Sequence, residues 1–217
     1  MTRLLDLGID RIRNIIMDMA ELSEQSVITS IESYANGTNV KKQIFEWSEK
    51  LRVLQDETAD LATELIARYQ PVATDLRAIR SCMEIAYGFS RFGRYAYDIV
   101  EVLETIGPIP NCDKSAVLGM ARTVREIIVL SVRSLELRNK NTATKLYQMD
   151  DIVDALYRKY LRELIVQQND KDKRETDARC YISGLLILRY LERISDHACY
   201  ISDSIDYILT GTSSPRR

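Results

Sequence analysis

The sequence predicts an all-α protein made of two tandem three-helix bundles, six long helices related by a pseudo-twofold internal repeat, and three observations carry that prediction. Glycine and proline are scarce, 8 and 4 in 217 residues, below the roughly 7% and 5% of average usage, so the closely spaced turns of an all-β fold have no material. Apolar residues recur at steps of three and four over long stretches, the period of a half-buried helix. The longest such stripe returns 102 residues later.

Ile9, Ile12, Ile16 and Met19 place a first helix, which Ala35-Asn36-Gly37-Thr38-Asn39 ends: Gly37 suits a left-handed helix end, and Thr38 or Asn39 can cap the next start. Trp47, Leu51, Leu54, Leu61 and Leu65, with Thr58 at the intervening position, place a second helix. A third follows Pro71, with Thr74 as its expected cap, and carries the stripe Ile85, Phe89, Phe92, Ala96, Ile99, Leu103, Ile106. Displaced by 102, that stripe becomes Ile187, Leu191, Ile194, Ala198, Ile201, Ile205, Ile208, apolar throughout. Outside the stripe the same displacement pairs Asp75 with Asp177, Arg77 with Arg179, Ser81 with Ser183 and Arg91 with Arg193. A displacement of 95 sets Leu51, Leu54, Thr58, Leu61 and Leu65 on Leu146, Met149, Val153, Leu156 and Tyr160 of a fifth helix. Val117, Ala121, Val124, Ile128, Val132 and Leu135 place the fourth, which matches the first in position but not in detail and stops near Asn139-Lys140-Asn141.

Residues 1–107 thus form the first repeat and 108–210 the second, joined at Gly107-Pro108-Ile109-Pro110. The polar segment 167–173 is the loop between helices five and six, and 211–217 is a flexible tail. Helices of about 25 to 30 residues follow. The second should outrun the fifth at its N-terminal end, because Val40 to Leu54 is longer than Ala143 to Met149.

Composition narrows the function. Thirty Lys and Arg against 32 Asp and Glu leave a net charge of −2, no field for nucleic acid or an anionic membrane. Apolar runs such as 127–130 and 185–188 are far too short to span a bilayer, and Asp6, Asp10 and Arg11 interrupt any signal-peptide core, so a cytoplasmic protein is expected. Cys82, Cys112, Cys180 and Cys199 form no C-x-x-C pair, and four reduced, mostly buried thiols are expected. His197 is the one imidazole, and neither phosphate-cradling glycine loop is present, so hydrolytic triads and nucleotide catalysis lack their parts.

One constellation carries chemistry: Asp150 and Asp154 on helix five, Glu192 and Asp196 on helix six. At i,i+4 two carboxylates share a helix face about 5–6 Å apart, so both pairs can converge on one hard cation. From spacing alone a solvated acidic face is the commoner reading. His197, beside the cluster, is more often packed than ligating; Arg91 and Arg193 more often meet internal carboxylates than capture phosphate. Trp47 is read as core, and Tyr95, Tyr97, Tyr200 and Tyr207 as filling interhelical edges or, where exposed, marking an interface.

These residues resemble the PhoU family of phosphate-uptake regulators. Leu191-Glu192-Arg193-Ile194-Ser195-Asp196-His197-Ala198 looks like the family's repeated L-E-R-I-G-D-H-A. Gln70-Pro71-Val72-Ala73-Thr74-Asp75-Leu76-Arg77 looks like its Q-P-x-x-x-D-L-R, and Asp150-Asp151-Ile152-Val153-Asp154 like its D-x-x-V-D. The resemblance implies tandem three-helix bundles and turns the acidic face into a surface site for iron or another hard divalent or trivalent cation, held by Asp150, Asp154, Glu192 and Asp196. The first repeat departs: Gln55, Ala59, Ser90 and Arg94 stand at the equivalent positions, so a cation is expected on the second repeat only. Asp56 and Asp60 fall on the wrong side of the Leu54/Thr58 seam and read as solvated, while Arg94 can face Asp98 or Glu101 as a fixed positive charge.

The resemblance further implies a non-enzymatic cytoplasmic regulator that lowers phosphate uptake and starvation signalling by contacting the ATPase subunit of the phosphate ABC transporter and, in bacteria, a sensor kinase. A homodimer is expected, peripheral to the membrane only through partners. The alternatives are a metal-binding or metal-storage bundle and a helical scaffold for another transporter or regulator.

Overall fold

The computed structural model describes residues 4–109, 111–137, 141–167 and 175–212. Six helices and no strand are found among them: α1 (Leu4–Asn36), α2 (Lys41–Tyr69), α3 (Ala73–Ile106), α4 (Ser115–Leu137), α5 (Asn141–Gln167) and α6 (Glu175–Thr210). Helices α1, α2 and α3 pack mutually, as do α4, α5 and α6, and the most extensive contact in the molecule joins α3 to α6. The two central helices run antiparallel, so Tyr95 stacks on Tyr190 and Arg80 lies over Tyr207. A smaller contact joins α1 to α4.

The repeated stripe is the core. Ile85, Phe89, Phe92, Ala96 and Ile99 are buried on α3, as are their counterparts Ile187, Leu191, Ile194, Ala198 and Ile201 on α6. At the outer ends Leu103, Ile106 and Ile208 are half-buried against it. Thr58 is fully buried and bonds to the Leu54 carbonyl, which satisfies its hydroxyl inside the seam. Leu156 departs: the sequence puts it in the α5 seam, and it is exposed together with Ile152.

Helix ends follow backbone chemistry. Gly37 (φ +75°) ends α1 as expected, its N–H donating to the Ser33 carbonyl, and the Asn39 side chain accepts the Lys41 N–H at the start of α2. Thr74 is not the α3 cap; Val72 takes that place in extended geometry with no side-chain bond, and Thr74 accepts from Arg77 inside the helix. Gly107 (φ +80°) closes α3, and Asp113 caps the N–H of Ser115 on α4.

Helix lengths run from 23 residues in α4 to 36 in α6, so α1, α3 and α6 exceed the expected range. From Lys41, α2 reaches Leu54 after 13 residues, whereas α5 reaches Met149 only 8 after Asn141, so α2 is the longer at that end. Asn141 opens α5 and Gln167 closes it rather than lying in loops. Pro110, the α4 stop at 139–140, the loop over 168–173 and the tail beyond 212 lie outside the described residues.

The second half of α1 shows how a helix extends beyond its apolar stripe. Ser23, Ser26 and Ser30 are buried, and each hydroxyl donates to a carbonyl of its own helix, at Ala20, Leu22 and Val27. On α4, Ser131 and Ser134 are likewise buried and bonded to Ile128 and Ser131. A displacement of 101 aligns the two helices: Met19/Met120, Ala20/Ala121, Ser30/Ser131 and Ser33/Ser134 are identical and all buried.

Two of the four cysteines are not thiols. Cys112 and Cys180, with Cα atoms 5.4 Å apart, form a disulfide that ties the α3–α4 connection to the first turns of α6. Their 68-residue separation carries no motif, and only the return of α6 past that connection brings them together. Cys82 and Cys199 are free and buried, and burial pushes the Cys82 thiol up to about 11.

Candidate functional site

Helices α5 and α6 bring the four sequence-predicted acids onto one face. Ser195 ties the helices together by donating to Asp150 Oδ1 at 2.6 Å. Glu192 is 9% exposed and receives Arg189 Nη1 on both carboxylate oxygens at 2.6 and 2.7 Å. Asp196 is paired with Arg193 at 3.2 Å, and Asp154 with Arg158 at 3.4 Å.

Electrostatics show the convergence. Burial first, then the neighbouring Asp196 and, more weakly, Asp154, push the Glu192 carboxyl up to about 7 despite Arg189. Burial also raises Asp196, with Asp150 and Asp154 adding to the effect and Arg193 opposing it. Four like charges are held together by packing that no solvated face would impose, and guanidiniums supply the compensation.

A hard cation suits four carboxylate donors chemically. In this arrangement each acid is engaged by a serine or an arginine, and among the described residues no three His, Cys, Asp or Glu side chains are already grouped around one point. The i,i+3 order Arg189-x-x-Glu192-Arg193-x-x-Asp196 announces those pairs, and Ser195 is visible as the departure from the motif's glycine. The carboxylate partner of Arg193 is the one expected from sequence; Arg189 and the Ser195 bond are not.

The first repeat has no carboxylate at the matching positions. Gln55, Ala59 and Ser90 are half-buried, and exposed Arg94 pairs at 3.0 Å with Asp98, one of the two partners expected for it. Burial raises Asp98, with Arg94 working against it. Asp56 and Asp60 are exposed, as read from their side of the seam.

At the pseudo-twofold axis the repeat-equivalent residues Tyr95 and His197 meet, Tyr95 Oη lying 3.5 Å from Nε2. Their flanking arginines are equivalent too. Arg91 donates to Tyr95 Oη at 2.8 Å and lies over the ring, so it takes a phenol where a carboxylate was expected, while Arg193 donates to Asp196 with Tyr95 nearby. His197 is packed: burial first, then Arg91 and Arg193, hold it down at about 4, so the ring is neutral at ordinary pH. Trp47 sits half-buried against the core. Tyr97 packs on Phe45, and Tyr200 is 52% exposed.

No helix is long and apolar enough to cross a membrane among the described residues. The PhoU domain profile matches residues 16–103 and again 117–205. A relative from Clostridium acetobutylicum, described as a phosphate-specific transport system accessory protein PhoU homolog, is 26% identical over 216 residues, which cover 97% of each chain. A homolog of the same description from Synechocystis sp. is 27% identical over 208 residues, 94% of this chain and 90% of its own. The crystal structure of PhoU from Pseudomonas aeruginosa aligns with a TM-score of 0.86 over 95% of this chain and 99% of that one, at 23% identity, a likeness of fold.

Proposed function

This chain belongs to the PhoU domain family through both of its repeats, and we propose that it is a non-enzymatic, cytoplasmic regulator that lowers phosphate uptake by contact with the phosphate ABC transporter. The observation that carries this reading is the double match along relatives of the same length, which are accessory proteins of phosphate-specific transport. The ATPase subunit is the partner favoured, with a sensor kinase as a second contact. Long helices present their surfaces as continuous ridges, and exposed Ile152, Leu156, Ile182 and Leu186 on α5 and α6 suit such contact or a homodimer. Deleting the gene should raise phosphate uptake in phosphate-replete cells, and the tagged chain should retain the ATPase subunit on purification. Unchanged uptake with no retained transporter component would end this reading.

A second reading is a hard cation, iron among them, on the second repeat only, favoured by the four coupled carboxylates. Arg189 and Arg193 are 45% and 40% exposed and can swing into solvent, so an ion would enter in exchange for them. Asp150, Asp154, Glu192 and Asp196 would hold it. Metal content of the purified chain should fall to background in the D154N/D196N variant with helicity retained. Equal metal in both proteins would place any ion elsewhere.

A further inference from the structure

A cleft of about 350 Å³ opens between α3 and α6. It spans Arg80 to Gly88 on α3, roughly 12 Å of helix. Neither its aromatic walls nor its polar groups take part in the acidic cluster.

Its floor is a buried ring nitrogen without a partner. His197 is 5% exposed, and its Nδ1 has no hydrogen-bond partner among the described residues. Tyr95 Oη accepts from Arg91 and is placed to donate its own proton to His197 Nε2, the tautomer that carries the ring N–H on Nδ1. Buried donors of this kind are rare in folded proteins and cost about 1–3 kcal/mol when left unmade. A second polar group lies beside it. Ser183 bonds to the Cys180 carbonyl, but its repeat counterpart Ser81, 2% exposed, makes no such bond and lies in the cleft.

The walls are flat. Tyr87 and Tyr200 stand steeply on the imidazole, at 69° and 68° with ring centres 5.7 and 5.6 Å away, and both are about half exposed. Arg80 covers the Tyr207 ring at the other end. Charge in the cleft is mixed: Arg80 stands against Glu84 and Asp203, so neither a bare phosphate nor a simple cation matches it. Flat aromatic faces interleaved with hydrogen-bond donors and acceptors suit a neutral, planar ring bearing both.

We propose that this cleft binds the base of a nucleoside or nucleotide, with an acceptor atom of the base on His197 Nδ1–H and its ring stacked on Tyr87 or Tyr200. Small outward turns of the two half-exposed phenols uncover the imidazole. Arg80 and Ser81 then face the sugar end, and any phosphates extend into solvent. The cleft's volume sits at the small end of the roughly 300–1,000 Å³ of ligand pockets, enough for a base and its sugar.

The test is titration of the full chain by calorimetry and ligand-observed NMR with adenosine, guanosine, cytidine and uridine, each beside its triphosphate, with inorganic phosphate as a separate arm. At least one nucleoside should bind with Kd below about 1 mM, and its triphosphate should bind within a fewfold of it. Tyr200→Ala and Tyr87→Leu, at half-exposed positions, should weaken binding about 10- to 100-fold with unchanged helicity. His197→Asn should weaken it as well. Three results would overturn the proposal: no nucleoside binding in that range, inorganic phosphate binding as well as the triphosphates while nucleosides do not bind, or full affinity in folded forms of both tyrosine variants.

Discussion

Helices α2–α3 and α5–α6 are copies of one frame with opposite charge written onto it. Where the second copy carries Asp150, Asp154, Glu192 and Asp196, the first carries Gln55, Ala59, Ser90 and Arg94, yet the apolar seams beneath are apolar in both and buried over most of their length. The difference teaches that the seam and the surface beside it are separately adjustable. Packing fixes which residues neighbour one another, and one change of side chain per position then decides whether that neighbourhood repels, pairs or binds. The second copy tolerates four crowded acids because arginines one turn away answer them; the first needs only the Arg94–Asp98 pair.

The largest effects should be those the two copies share. Phe89 and Leu191 are equivalent and fully buried, so Phe89→Ala should cost about 3–5 kcal/mol and Leu191→Ala about 2–5. Urea unfolding measures both, and a loss under 1 kcal/mol at either site would break the equivalence of the seams. Next comes a feature of the second copy, the Cys112–Cys180 bond, which closes a 68-residue loop. Its removal by Cys112→Ser should cost about 2–4 kcal/mol, and an unchanged melting temperature under reductant would show the bond contributes nothing.

The acidic face should reveal itself through pH. Glu192 has its folded-state pKa raised to about 7 from an ordinary 4.5, so the folded chain holds that proton more tightly than the unfolded one. The resulting stability is present below pH 4.5 and lost as pH rises through about 7. Glu192→Gln should flatten that slope by on the order of 1–3 kcal/mol, discounted for the solvent reaching Arg189. Ser90 stands at the matching position and has nothing to titrate, so Ser90→Ala should leave the profile unaltered; an equal change in both would dissolve the contrast. The smallest effect belongs to Arg94→Ala. Its side chain is 55% exposed, and loss of the Asp98 pair should cost no more than about 1 kcal/mol.

Legibility followed the apolar pattern. The α3 and α6 stripes were readable because a seven-position period with no polar break has one solution, a buried helix face. The rear of α1 was not, since Ser23, Ser26 and Ser30 occupy its buried positions and look like surface; only their bonds to their own helix explain the burial. The same stripe hid the correspondence of α1 with α4. Leu156 failed in the other direction, an apolar residue in register that stays 37% exposed.

The sequence by itself determined six helices, their duplication and the four acids of one face, because periodicity and motif order are properties of the chain alone. Tertiary structure decided what touches what. Arginines pair with Glu192, Asp196 and Asp154, Cys112 finds Cys180, and Tyr95 meets His197 on the axis between repeats. These depend on the antiparallel docking of α3 on α6, which sets residues about 100 positions apart side by side, and no local pattern in a chain encodes a distance of that kind.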